Sequence, residues 1–323
     1  MTREVDFQLN WEPNGFQAPY FLARERGFYA EEGLDVRFVE GHGSPFAAEE
    51  AGKGRREFAL AGASAVLSVR SEGPEPLAVA AVTQRTPAAI YTLRDVFGEA
   101  LTEPEQLAGA TVAPSATKTR ILTAQLLERA GIADSVDLRP VDEYTHHRVG
   151  HKLLDGEVDA AVGVVTNGRE LEREHDRRAD ELPIGEHLDI YGMTIVTSPT
   201  FAAAEPATVA AFLRATAKGW AAATAEPAAA IDALVARNAT LERTREIERE
   251  KFDVAADSLQ FTDHVRAAGW GHHDPDRWVT LGEALAETDL LSGPVDPADA
   301  WTNAHLDADA RDIGEYAARI GRD

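Results

Sequence analysis

A chain of 323 residues with 55 acidic and 32 basic side chains has a formal net charge of −23, and only five of the basic residues are lysine. That charge excludes a nucleic-acid surface, because phosphates would be repelled. The absence of cysteine excludes disulfides, thiolate metal sites and a lipid-anchored cysteine. An acidic, lysine-poor, arginine-rich chain reads as adapted to very high salt, where self-repulsion is screened; the alternative is an ordinary acidic protein from a GC-rich genome.

The opening MTREVDFQLN has no charged segment followed by an apolar one, so no signal peptide is visible. As it stands the chain is expected to be cytoplasmic, and extracytoplasmic if an export signal has been removed. No apolar run approaches the ~18–20 residues that span a bilayer, so no direct membrane insertion is expected. VDFQLN alternates apolar and polar residues and predicts a strand ending at Trp11. Pro13, Asn14 and Gly15 make a loop, and an amphipathic helix is predicted from about Gln17 to Arg26, with Phe16, Tyr20 and Ala23 on one face. Gly27 ends that helix and Gly33 turns the chain into a second strand, LDVRFVE. A strand–loop–helix–strand unit of this kind binds ligands at the carboxyl end of its first strand.

GHGSP leads into a helix at Phe46 to Lys53, with Ser44 expected as its N-cap. EFALAGASAVL predicts a strand at Phe58 to Ala61 and a helix from Ser64. LAVAAV (Leu77 to Val82) and AAIYTLR (Ala88 to Arg94) are two further strands with Gln84 between them; the first is apolar throughout, like a strand covered on both faces. Around Asp95 to Gly98 the chain is expected to cross into a second lobe. There a strand at Thr111 to Ala113 feeds the hydroxyl-rich turn Ser115 to Thr119 and a helix from Thr117 to Ala130. VDLRPV is a strand, HHRVGHKLLDG a helix, and VDAAVGVV a buried strand that ends near Asn167. HLDIYGMTIVTS, His187 to Ser198, is the return strand with Tyr191-Gly192 at the hinge. From Pro206 the chain is helical, through to DARDIGEYAARIG, and the alanine richness of these helices implies close packing on the first lobe. The organisation expected is α/β and two-lobed: residues 1–94 as the first part of lobe 1, 95–187 as lobe 2, and 188–323 as the return strand and helices on lobe 1.

The LNW–PN strand end, the helix APYFLARERGFYAEEGLDV and the GHGS turn together resemble a solute-binding-protein family of the periplasmic-binding (type II) fold with a helical C-terminal segment. The branch resembled binds thiamine-pyrimidine precursors and includes the fungal thiamine pyrimidine synthase, and the resemblance runs to about Phe201. GFYAEEGLDV alone is common to a wider set that includes binding proteins for sulfonates, nitrate and riboflavin. The resemblance implies a small-molecule ligand in a cleft between the lobes, an ABC permease as partner, and no cofactor. The fungal enzyme's pyridoxal-phosphate lysine falls at Ala61 and its histidine at Ala65. Its cysteine cluster falls near Gly192 to Thr194, and a family histidine on the first helix is Gln17 here. A non-catalytic member is therefore expected, with an intracellular pyrimidine-forming or pyrimidine-processing enzyme as the alternative. The branch usually has an acidic residue soon after its Tyr-Gly hinge; MTIVTS lacks one, which leaves a related heteroaromatic or a small organic anion open.

The candidate lining comes from the loops after strands. Trp11 is a stacking plate, or else a packed core residue, with Asn14 and Gln17 as polar contacts beside it. Ser44, Ser64 and Gln84 belong to the first lobe, Ser115, Thr117 and Asn167 to the second, and Tyr191 to the hinge. An aromatic plate with neutral donors and acceptors suits a flat, polar ring. His147 and His151, spaced i,i+4, and the pair His272 and His273 lack a third partner, and no metal is expected.

Overall fold

The computed structural model describes residues 2–115, 117–141, 146–260, 262–286 and 291–311. Among the described residues ten strands run in chain order: β1 Arg3–Gln8, β2 Leu34–Val39, β3 Phe58–Gly62, β4 Leu77–Ala81, β5 Ala88–Leu93, β6 Thr111–Pro114, β7 Asp137–Leu138, β8 Ala160–Val164, β9 Ala179–Pro183 and β10 Met193–Thr197. They form two five-stranded sheets, ordered β2-β1-β3-β10-β4 and β7-β6-β8-β5-β9. The chain accordingly divides into one unit made of the residues up to Arg85 and from Ile190 onward, and a second running from Thr86 to Asp189.

In the first unit β1 is parallel to β2 and β3, while β10 runs antiparallel to both β3 and β4. The predicted first helix divides into a 3-10 turn, Gly15–Gln17, and an α-helix, Ala18–Glu25. Gly27 and Gly33 adopt the left-handed conformation (φ 78° and 76°) that lets the chain turn there. The helix Pro206–Ala225 lies over this sheet and supplies Phe212 and Trp220 to the core. Gly219 lets it approach the first helix closely: a Cβ there would lie 2.5 Å from the Cβ of Ala23. Small side chains thus bring these two helices together, as the alanine content implied.

In the second unit β6 is parallel to β7 and β8, and β5 is antiparallel to β8 and β9. Its core is built from Tyr91, Leu93, Val149, Leu153, Val158 and Leu171. The crossing into it comes at Thr86, ahead of the expected Asp95, because β5 pairs with β8 and β9 and not with the first sheet. The strand β9 and the helix Asn167–His175 had no sequence forecast. β9 is a polar edge strand with only Leu182 buried, so it shows no alternation, and the helix Asn167–His175 is largely charged. VDLRPV yields only the two-residue β7. In the C-terminal segment the run LERTREIEREKFDVAADSL, expected to be helical, divides into the end of a 3-10 helix, Ala239–Thr244, an α-helix, Arg245–Val254, and a π-helix, Ala255–Gln260. The forecast terminal helix is described only as Ala308–Arg311, and the rest of it lies outside the described residues.

Candidate functional site

The turn after β1 is built by reciprocal hydrogen bonds among polar side chains. Asn14 Oδ1 accepts from the Phe16 amide at 3.0 Å, and the Asn14 amide donates to Gln17 Oε1 at 2.9 Å, a capping box around the 3-10 turn. Gln17 Nε2 donates to Asn10 Oδ1 at 3.0 Å, so the buried Gln17 amide has loop partners at both ends. Trp11 is half-buried beside them, and its carbonyl accepts from Gly41 at 3.3 Å. The Gly43 amide donates to Asn10 O at 2.7 Å, which joins the GHGS turn to the first loop. The N-cap of the following helix is Gly43, at φ 115°, not the expected Ser44, which is buried as the first helical residue. That backbone conformation suits glycine and moves the cap one residue back. The Gly15 amide donates to the buried Glu248 carboxylate at 2.7 Å, so this turn receives a negative charge from the C-terminal segment.

A second group gathers at the ends of β3 and β4 and the start of β10. The Ala63 amide donates to Gly192 O at 2.9 Å, Gly192 N donates to Thr83 O at 3.0 Å, and Gln84 N donates to Leu259 O at 2.6 Å. This ladder brings Ser64, Gln84 and Tyr191 to neighbouring chain segments. Ser64 is 3% exposed, and its hydroxyl has no hydrogen-bond partner among the described residues. Arg277, which no sequence motif marked, donates Nη1 to Gln84 Oε1 at 2.9 Å and Nη2 to the Gln84 carbonyl; its guanidinium lies 4.0 Å from the centre of the Tyr191 ring. The Tyr191 hydroxyl accepts from the Asp274 amide at 2.6 Å, and burial raises its phenol above the ordinary value. Gly192 has no room for a side chain, since a Cβ would stand 2.2 Å from Thr83 Oγ1 and 2.3 Å from Arg85 O. Gly192→Ala is therefore expected to cost about 1–3 kcal/mol in a urea melt, as overpacking does. An unchanged midpoint would show that the crossover segment yields freely.

In the second unit Ser115 follows β6 and Asn167 follows β8, and the adjacency of these strands places their loops side by side. Ser115 is buried, and its amide donates to Val162 O at 3.2 Å. Asn167 Oδ1 accepts from the Val164 amide at 2.9 Å and so holds the turn in which Thr166 takes a left-handed φ of 94°. The amide of Gly168 donates to Glu181 at 2.8 Å, and burial raises the Glu181 carboxyl. Thr117 begins the helix Thr117–Arg129, but its side chain lies outside the described residues.

Among the described residues no group of three or more His, Asp or Glu side chains is placed to hold a metal ion. His273 is buried among aromatic rings with Nδ1 accepting from Trp278 Nε1 at 3.1 Å, and burial depresses it to about 3. His151 is exposed, while the side chains of His146 and His147 lie outside the described residues. The residues missed by sequence reasoning, Arg277, Glu248 and Glu181, belong to no local motif. Arg277 and Glu248 act across separations of 193 and 233 residues.

Three relatives bear on this arrangement. The 4-amino-5-hydroxymethyl-2-methylpyrimidine phosphate synthase THI13 of Saccharomyces cerevisiae is 26% identical over 50% of this chain, but the match spans only 46% of the synthase. The formylaminopyrimidine-binding protein of Halalkalibacterium halodurans is 23% identical over 93% of this chain and 89% of its own length. Among solved structures, the periplasmic aliphatic sulphonate-binding protein SsuA from Escherichia coli superposes with a TM-score of 0.73 at 14% identity, covering 93% of this chain and 92% of its own, which establishes the two-sheet α/β periplasmic-binding-protein fold. The family described as NMT1/THI5 like matches residues 14–230, well over half of the 323. The chain belongs to the NMT1/THI5-like family.

Proposed function

We propose that the protein is the solute-binding component of an ABC-type uptake system, acting outside the cytoplasm with a permease partner, and that its solute is a small heteroaromatic compound such as a thiamine pyrimidine precursor. The observation that carries this reading is the Ser64 hydroxyl, buried and without a partner among the described residues, at the first turn of a helix and next to the ladder that holds Gln84 and Tyr191. Buried polar groups are nearly always hydrogen-bonded, so an orphan at a strand end is where a ligand atom is expected. Its neighbours Gln84 and Tyr191 offer neutral polar groups and an aromatic ring, and the buried Arg277 guanidinium beside them is already held by Gln84 and the Tyr191 ring, an arrangement that suits a flat polar ring. The pyrimidine named for the full-length relative from Halalkalibacterium supports the same class. Ala61 and Ala65, at the positions of the fungal lysine and histidine by the resemblance, offer no amine or imidazole, which favours binding over turnover.

The test is a thermal-shift screen in molar KCl with thiamine, its aminopyrimidine precursors, riboflavin, sulfonates and carboxylates. A ligand at ~100 times its dissociation constant stabilises the native state by about 2.7 kcal/mol. A shift with one ring compound and no product formed is the expected result. Silence across the rings, or turnover of one, overturns it. With a ligand in hand, Trp11→Ala is expected to weaken binding about tenfold with little change in the melting point of the free protein, as loss of a stacking plate would. A large loss of free-protein stability with unchanged affinity would make Trp11 a packing residue.

A further inference from the structure

We propose that Gln260 is a specificity-determining residue that reads the hydrogen-bonding edge of the bound ring; this rests on the solute-binding reading above. Gln260 is fully buried, at 0% exposure, and among the described residues neither its Oε1 nor its Nε2 has a hydrogen-bond partner. An amide stripped of water on both its donor and its acceptor is the least favourable state such a side chain can occupy, so a fold that keeps it there has a use for it. The backbone around it is well held. The Thr262 amide donates to Gln260 O at 2.9 Å, and the preceding carbonyl, Leu259 O, accepts from Gln84 N at 2.6 Å. Gln260 therefore follows directly on Leu259, the residue that ties this segment to Gln84.

The element that delivers it is unusual. Residues Ala255–Gln260 form a π-helix that continues the helix Arg245–Val254. A π segment inserts one residue into the helical register and turns the following side chains out of the regular 3.6-residue pattern; such segments are rare and concentrate at functional sites. Here the turn ends on a buried glutamine, where the regular pattern in a helix of this kind would bury an apolar residue.

The chemistry of the ligand follows from that of the amide. A carboxamide presents an acceptor and a donor side by side in one plane, and its complement is a planar edge with a donor beside an acceptor. Two classes of ring carry that edge: a 4-aminopyrimidine, with an exocyclic amine beside a ring nitrogen, and a lactam ring such as a flavin, with N–H beside C=O. An oxyanion has acceptors only and would leave Gln260 Oε1 unmet, so sulfonates and nitrate are disfavoured at this position.

The test is calorimetric titration of the full chain and of Gln260→Leu with 4-amino-5-hydroxymethyl-2-methylpyrimidine, riboflavin and methanesulfonate, beside melting curves of both free proteins. The wild type is expected to bind one of the two rings, which decides between the amine and lactam edges, and to ignore methanesulfonate. In Gln260→Leu the affinity should fall about tenfold to a hundredfold. The melting point of the free variant should hold or rise, because leucine has a similar size and removes two unmet polar atoms. Unaltered affinity in the variant, a fall in its free melting point, or tight methanesulfonate binding by the wild type would each overturn the role of Gln260 while leaving solute binding intact. A wild type that binds no ring would overturn the solute-binding reading and this role with it.

Discussion

Phe212→Ala is expected to remove about 3–5 kcal/mol of folding stability, the cost of emptying a large aromatic site in a packed core. The Phe212 ring is wholly buried and stacks on Phe58 with centroids 3.9 Å apart and planes 9° from parallel. Phe7 meets it edge-on at 5.1 Å, and Tyr29 lies over it at 5.4 Å. Phe7 comes from β1, Phe58 from β3 and Tyr29 from the Phe28–Glu31 turn of helix, so a single side chain of the Pro206–Ala225 helix joins three separate segments. Such a site cannot collapse, because the surrounding rings are anchored in a sheet. Urea denaturation checks this; a loss below about 1 kcal/mol would mean that the C-terminal helix contributes little to the core.

Transfer from molar KCl to dilute buffer is expected to unfold the protein altogether, on the reading that the acidity is a salt adaptation. With 55 acidic against 32 basic residues the surface repels itself, and the Debye length that limits this repulsion grows from about 3 Å at 1 M to about 30 Å at 0.01 M salt. The ion pairs offset only part of it. Arg214 grips Glu32 and Asp307, and Arg245 grips Asp232 and Glu242, yet many carboxylates are left in excess. Circular dichroism across a KCl series measures the effect, and a native spectrum in dilute buffer would defeat the reading.

Much of the first sheet was legible because its cues are local. Alternation in VDFQLN, the glycines at 27 and 33, and the apolar run at Leu77 mark β1, the turn and β4 without reference to anything distant. The position of the first crossing was less legible, since AAIYTLR has the composition of any buried strand and only its partners, β8 and β9, say which sheet it joins. β9 stayed hidden because an edge strand with one buried residue has no pattern to read. Site residues divide in the same way. Asn14 and Gln17 announce themselves three residues apart, and the structure shows them closing their own turn. Arg277 carries no such mark, because Gln84, the group it holds, lies 193 residues away. Glycine 43 took the cap from Ser44 for a backbone reason, its φ of 115°, that residue type alone does not encode.

The place of β10 has a consequence for how the protein is made. This strand sits between β3 and β4, and the helix that covers them comes later still. Until Met193 has been added, the facing edges of β3 and β4 have no partner, and Phe7, Tyr29 and Phe58 lack the Phe212 ring that joins them. Thr86 to Asp189, by contrast, contain every strand of their own sheet in one uninterrupted run. The middle of the polypeptide is thus complete as a folding unit before its beginning is. The residues up to Arg85 must wait for β10 to complete their sheet, and until then β3 and β4 present the unpaired edges that invite misassociation.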